Sequence, residues 1–426
     1  MRTERNLSQL HGKVAVITGG SSGSGLRAWL AVASIGIVTF AMVTTELLPI
    51  GLLSPIARDL GVSDGVGGLM VMTTGLVSAL SAPLSMLVAG RTDRRTVIVL
   101  LTALILASDA VVAAAPDFPT VLFGRVLIGV SVGAVWTFAV AIGRRLVPEA
   151  QGGRATAIIL AGISGGMVLG VPAGALIGHA WGWRAAFVAG GVLAALGLAA
   201  QLVLLPRLPV ERGVRARDLV DILFVRQARV GLLAAALVAA GQFIAYTYLE
   251  PFLSQESGIP PASLGLVLVA YGVGGFVGNF AGERAMAWNI RLAFSGTAVL
   301  LAISIVGSAM LGHSPMMAAV LVTAWGFVFG AVPVCVQIWL YQSAPERFEV
   351  GSSMMVLVFQ IALALGALSG GVIVDHAGID SAFIAGGVLS IASAAVILAF
   401  GGKRAAAPPL DSPIGTTLEQ SAGAIE

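Results

Sequence analysis

The sequence predicts an all-α membrane protein, with twelve transmembrane helices in two pseudo-symmetric halves of six. Three observations carry that prediction. Twelve apolar stretches are each long enough to cross a bilayer core of ~30 Å as a helix of ~20 residues. The basic residues alternate between the gaps. The N-terminus and every second gap hold 21 of the 24 lysines and arginines, and the other gaps hold only Arg58 and Arg184. Because basic residues mark the cytoplasmic side, both termini are expected in the cytoplasm, with the chain crossing the cell membrane an even number of times. Finally, the eight residues from Ala186 to Leu193 recur, with one conservative change, from Ala382 to Leu389, a shift of 196. Gly170, Gly174 and Gly182 fall on Gly366, Gly370 and Gly378 at the same shift.

Composition agrees. Hydrophobic residues make up 57% and charged residues 11% of the chain, against roughly 25% charged in a soluble domain. The basic balance belongs to the cytoplasmic loops and is a topology signal, so no nucleic-acid partner is expected. The single cysteine, Cys335, excludes an intrachain disulfide and a multi-cysteine metal site.

In chain order the predicted spans are 28–57, 65–90, 96–115, 119–143, 154–178, 183–205, 229–253, 262–285, 291–311, 314–342, 350–375 and 380–402. The first is too long for a cleaved signal sequence and is needed as a packing partner. Residues 206–228, polar and arginine-rich, divide the helices six and six. They are expected to be a cytoplasmic linker between an N-terminal half, 28–205, and a C-terminal half, 229–402. The tail 403–426 is expected to be disordered. Duplicated helical halves with a site between them at mid-membrane are the build of secondary transporters.

Residues Gly12 to Gly25 resemble the opening strand and glycine turn of short-chain dehydrogenases. The remainder of that enzyme is missing. The chain enters its first membrane span at Ala28, leaving no second strand with an acid. Neither Lys13 nor Lys403 has a tyrosine four residues before it. Residues 1–27 are therefore read as a vestigial extension, with no cofactor and no enzyme activity.

Few charges lie within the spans, and each is expensive enough there to need a reason. Glu46 and Asp109 lie late in helices that start inside, and Arg125 lies early in one that starts outside, so all three fall at similar height in the outer half. Along the fifth span Gly162, Gly166, Gly170, Gly174 and Gly178 step by four and make a bare stripe where another helix can approach. Pro172 favours a bend on that helix.

Several segments together resemble the major facilitator superfamily, and within it the bacterial drug:proton antiporter group. These are Thr45-Glu46-Leu47-Leu48-Pro49, Gly90-Arg91-Thr92-Asp93-Arg94-Arg95, Gly124-Arg125-Val126, Gly170-Val171-Pro172-Ala173-Gly174 and Gly182-Trp183-Arg184. Thr92 to Arg95, Gly241-Gln242-Phe243 and Trp325-Gly326 are similar to purine ribonucleoside efflux pumps, with sugar-efflux relatives next. The resemblance implies a monomeric transporter that exchanges protons for a small neutral organic solute. It implies that Gly90, Asp93, Arg94 and Arg95 form a gating latch, the acid pairing across to the other half when the inside is closed. It also implies that Gly170, Pro172 and Gly174 seal the two halves. This copy of the latch loop is contracted and lacks the second glycine of the usual pattern.

By the same resemblance helices one, four, seven and ten line the cavity, which offers Trp136, Phe138, Gln242, Phe243, Tyr246, Trp325 and Gln337. Flat aromatic faces with amides suit a planar hydrogen-bonding solute such as a nucleoside. Proton coupling is assigned to Glu46, Arg125 and Asp109, with Arg125 pairing to one acid or the other. Sugar or drug efflux, and an uncoupled facilitator or importer of the same fold, stay open.

Overall fold

The computed structural model describes residues 22–90, 92–148, 151–209, 224–344 and 348–401. Most of the extension, the middle of the linker, Arg91 and the tail from 402 onward lie outside these. The described residues contain no strand and include twelve helices long and apolar enough to cross a membrane. They are α1 Ser22–Gly51, α2 Leu69–Ala89, α3 Arg94–Ala113, α4 Phe118–Arg145, α5 Gly152–Trp181, α6 Trp183–Leu204, α7 Arg226–Tyr246, α8 Pro261–Trp288, α9 Ile290–Leu311, α10 Pro315–Ser343, α11 Phe348–Ala377 and α12 Ile379–Phe400.

Two spans, the first and the seventh, are broken near their C-terminal ends for one reason. The first helix stops at Gly51 and a short helix, Leu53–Asp59, restarts after Leu52. The seventh stops at Tyr246 and restarts as Leu249–Pro251. Proline cannot donate the i→i−4 hydrogen bond but fits a first helical turn. Pro55 and Pro251 each lie just past the break, 196 residues apart. The repeat has kept the same interruption in both halves. In α5, a π-helical turn at Gly166–Gly170 immediately precedes Pro172, where the missing donor loosens the ladder.

The halves α1–α6 and α7–α12 meet along two seams, α2 against α11 and α5 against α8. The α5 glycine stripe is not in either. A Cβ on Gly170 would fall 2.6 Å from Thr44 Oγ1, and one on Gly174 would overlap Leu48, both residues of α1. The expected seal between halves is corrected accordingly. The stripe packs α5 on α1 within the first half, because its bare face matches a neighbour already held close. The seam with the other half uses the opposite arrangement, Gly265 and Gly272 of α8 set on Leu176 and Val168 of α5.

The α2–α3, α4–α5 and α8–α9 connections lie at the same end of the bundle as the start of α1 and the end of α12, and Arg27, Arg94, Arg95, Arg144, Arg145 and Arg291 make that end basic among the described residues. At the opposite end the halves are tied by hydrogen bonds. The Ser54 amide donates to Glu250 Oε2 at 2.9 Å. Asp375 accepts from the Gly65 amide at 3.0 Å and from Ser63 Oγ at 2.7 Å. Gln255 donates to Asp64 at 2.7 Å.

Candidate functional site

A cavity of about 420 Å³ lies between the halves. It runs from Glu46 and Phe243, late in α1 and α7, toward the basic end, where Gln337 and Ser353 line it. Trp136, Phe243 and Gln337 were expected in its wall and are there. Leu47, Pro83, Met167, Pro333, Met354, Met355, Gln360 and Leu363 complete much of the rest.

Four expected cavity residues are elsewhere. Phe138 is buried beneath the Arg94 guanidinium, 4.7 Å from ring centroid to charge. Gln242, Tyr246 and Trp325 form a packed network inside the second half. Trp325 Nε1 donates to Gln242 Oε1 at 2.7 Å, Gln242 Nε2 donates to Tyr271 Oη at 2.8 Å, and Tyr246 stacks on Tyr271 at 4.9 Å. They share helices with cavity residues but occupy the inner face. Satisfying the indole and amide donors away from water holds them there.

Arg125 corrects the expected ion pair. Its guanidinium, fully buried, donates to three backbone carbonyls: Thr45 at 2.7 Å, Glu46 at 2.6 Å and Met70 at 3.2 Å. The reason lies in the sequence. The Thr45 carbonyl is the i−4 acceptor of Pro49, which has no N–H, so α1 carries an orphan acceptor that the arginine fork fills. Arg125 thereby joins α4 to α1 and α2 while its charge stays close to both acids.

The acids separate. Asp109 is buried inside the first half, where Oδ2 accepts from Thr45 Oγ1 at 3.1 Å and Oδ1 has no hydrogen-bond partner. It does not line the cavity. Glu46 does, and its Oε1 accepts from Gln360 Nε2 of α11 at 3.1 Å, a hydrogen bond from one half to the other. Gln360 was missed. It is the one amide in the eleventh apolar span, a signal present in the sequence, but the cavity helices had been taken from the resemblance and α11 was not among them.

At the basic end Asp93 caps α3, accepting from the Arg95 amide at 2.8 Å, and also accepts from the Leu208 amide at 3.0 Å. Arg94 N returns a bond to Leu208 O at 3.1 Å. Partial burial works against the charged carboxylate, but the amides of Leu208, Arg95 and Thr96 and the charge of Arg207 outweigh it and hold the acid below its usual range. Gly90 ends α2 with φ of 37°, which glycine tolerates. Arg94 Nη2 donates to the Gly90 carbonyl, and Arg95 to the Leu202 carbonyl. In this structure the expected latch residues hold the chain leaving α6, within their own half.

A two-half bundle of twelve membrane helices around a central cavity, closed at one end by bonds between the halves, defines a membrane transporter. The Major Facilitator Superfamily profile matches residues 33–354 and 231–421, and the chain belongs to that superfamily. It is 32% identical over 371 residues, 87% of the chain and 94% of the relative, to the purine ribonucleoside efflux pump NepI of Salmonella enteritidis, with the same identity and coverage for that of Salmonella typhimurium. Among solved structures, the D-xylose–proton symporter superposes with a TM-score of 0.68 at 16% identity, covering 88% of this chain and 97% of that one. A bacterial homologue of the lysosomal transporter Spinster, inward-facing and unoccupied, superposes with a TM-score of 0.66 at 18% identity, covering 89% and 96%. These two likenesses bear on the fold.

Proposed function

We propose that the protein exports a small, neutral, planar solute, a purine ribonucleoside by likeness to its relatives, in exchange for protons. The observation that carries this reading is Glu46. It is the one charged residue among the described residues lining the cavity, and it is hydrogen-bonded to the opposite half. A carboxylate so placed feels both the solute and the relative position of the halves. That is what coupling by alternating access requires. Phe243 and Trp136 supply aromatic surface and Gln337 an amide for such a solute. The basic end is taken as cytoplasmic, with both termini there, so the state described is open inward and closed outward. A C-terminal tag digested by protease applied outside intact cells would overturn that orientation.

The test is transport in proteoliposomes under an imposed pH gradient. Wild type accumulates labelled nucleoside against its gradient with measurable proton flux. Glu46→Gln keeps the shape of the protonated acid, so solute exchange continues while concentrative transport falls to background. The driving force lost is about 2.3 kcal/mol per charge per 100 mV, plus the pH term. Concentrative uptake by Glu46→Gln would move the coupling role to Asp109.

A further inference from the structure

Gln360 carries a polar atom that the site leaves unused. Its side chain is 8% exposed and its Nε2 is committed to Glu46. Its other end, Oε1, is buried without a hydrogen-bond partner. A buried orphan carbonyl is costly unless something in the working cycle pairs with it. The orphan belongs to a residue of the cavity wall and lies just beneath its surface, so a solute seated there becomes its partner once the side chain turns toward the cavity.

We infer that Gln360 is a specificity-determining residue whose amide orientation is set by the proton on Glu46, so that the cavity accepts base-edge N–H donors when Glu46 is ionised and rejects them when it is protonated. The reading rests on Glu46 as the coupling acid. An ionised carboxylate can only accept a hydrogen bond, which fixes Nε2 toward Glu46 and leaves Oε1 as an acceptor for the solute. A proton arriving on Glu46 makes an O–H that donates to Oε1. The amide then turns over, and its N–H₂ faces the solute instead. A purine N–H held by Oε1 loses its acceptor and meets a donor. The proton and solute thus exchange through one amide, without the carboxylate having to touch the solute. Around Glu46 the other charged groups are Arg125 of α4, bonded to backbone carbonyls, and Asp109 of α3, bonded to Thr45. Gln360 donates instead to Glu46, and the polar cavity residue Gln337 is neutral.

The experiment is equilibrium binding to the full-length reconstituted protein across mildly alkaline to mildly acidic pH, with two probes. Guanosine offers N–H donors on its base edge. Purine riboside lacks them and offers only ring acceptors, while its ribose is the same. Guanosine affinity should fall about tenfold as pH falls, the scale of one unmatched buried donor. Purine riboside affinity should change in the opposite sense. In Gln360→Met, which keeps the length and removes the amide, the two probes should follow the same pH trend. Parallel trends in wild type, or opposed trends that persist in Gln360→Met, overturn the inference and leave Glu46 coupling standing. Absence of binding by both probes in wild type overturns the purine reading itself, and this inference with it. The wild-type comparison needs no variant, so a Gln360→Met protein that fails to fold leaves the test intact.

Discussion

The two halves carry the same backbone plan but different charge. At the shift of 196 that relates them, Glu46 of the first half corresponds to Gln242 of the second, and Asp93 to Asn289. Each acid thus corresponds to an amide in the other half. Glu46 reaches across to α11, whereas Gln242 is closed off by Trp325 and Tyr271. Asp93 caps α3 and also holds Leu208, whereas Asn289 caps α9 through a single bond to the Leu292 amide at 2.9 Å. The fold therefore does not need the acids, since the second half builds the same turns with neutral side chains. Their presence in one half only fits the proposal that protonation acts on the first half, since the second half carries amides at the corresponding positions.

The largest way to break that asymmetry is Arg125→Ala. The guanidinium donates to the Thr45 carbonyl orphaned by Pro49, and it lies close to two buried acids. Its loss should cost about 3–5 kcal/mol, the range for removing one member of a buried charged set. Thermal unfolding of the purified protein should show a large drop, and both exchange and concentrative transport should fail. Wild-type stability in Arg125→Ala would mean the carbonyls find other donors and the arginine is not holding α1. On the other side of the comparison, Gln242→Leu strands the Trp325 indole and the Tyr271 hydroxyl. About 1–3 kcal/mol of stability should be lost, with the pH dependence of transport unchanged. A shifted pH profile in that variant would show that the second half also takes part in proton coupling.

The twelve spans and the two halves were legible in advance because they rest on strong, redundant signals. Long apolar spans are readable without knowing any contact, and the 196-residue repeat announced the two halves. The helix breaks at Leu52 and at Thr247 were missed although Pro55 and Pro251 were visible, since both lie inside continuous apolar runs that hydropathy joins together. For the site, residue type identified Glu46, Asp109 and Arg125 but not their partners. The pairing of Arg125 with backbone depends on which carbonyl Pro49 leaves free, a local argument that sequence permits but charge-counting overlooks. Phe138, Gln242, Tyr246 and Trp325 were placed on the wrong face because the helix was taken from the resemblance. A few helical turns of neighbouring residues point inward to the half or outward to the cavity by rotation alone. Gln360 was overlooked because α11 is not among the cavity helices the resemblance implies, although a lone amide in a membrane-spanning helix is nearly as demanding of a partner as a charge.

The smallest expected effect tests the second acid–amide pair. Asp93→Asn makes the α2–α3 turn resemble the one at Asn289, keeping an acceptor for the Arg95 amide but weakening the hold on Leu208. The acid's value is lowered in the folded protein, so its contribution is fully present above the unfolded carboxylate value and is lost as pH falls through the lower, folded one. Wild type should therefore keep its Leu208 and Arg95 amides protected from hydrogen exchange through mildly acidic pH, and lose that protection only below the usual aspartate range. Asp93→Asn should show weaker protection at Leu208 at every pH, by about 1 kcal/mol or less, with no acid-dependent step. The cap at Asn289 serves as the internal reference, since it has nothing to titrate. If protection at Leu208 in wild type tracks that at Leu292 down the whole pH range, the charge on Asp93 does not anchor the chain leaving α6. The asymmetry between the halves would then reduce to Glu46 alone.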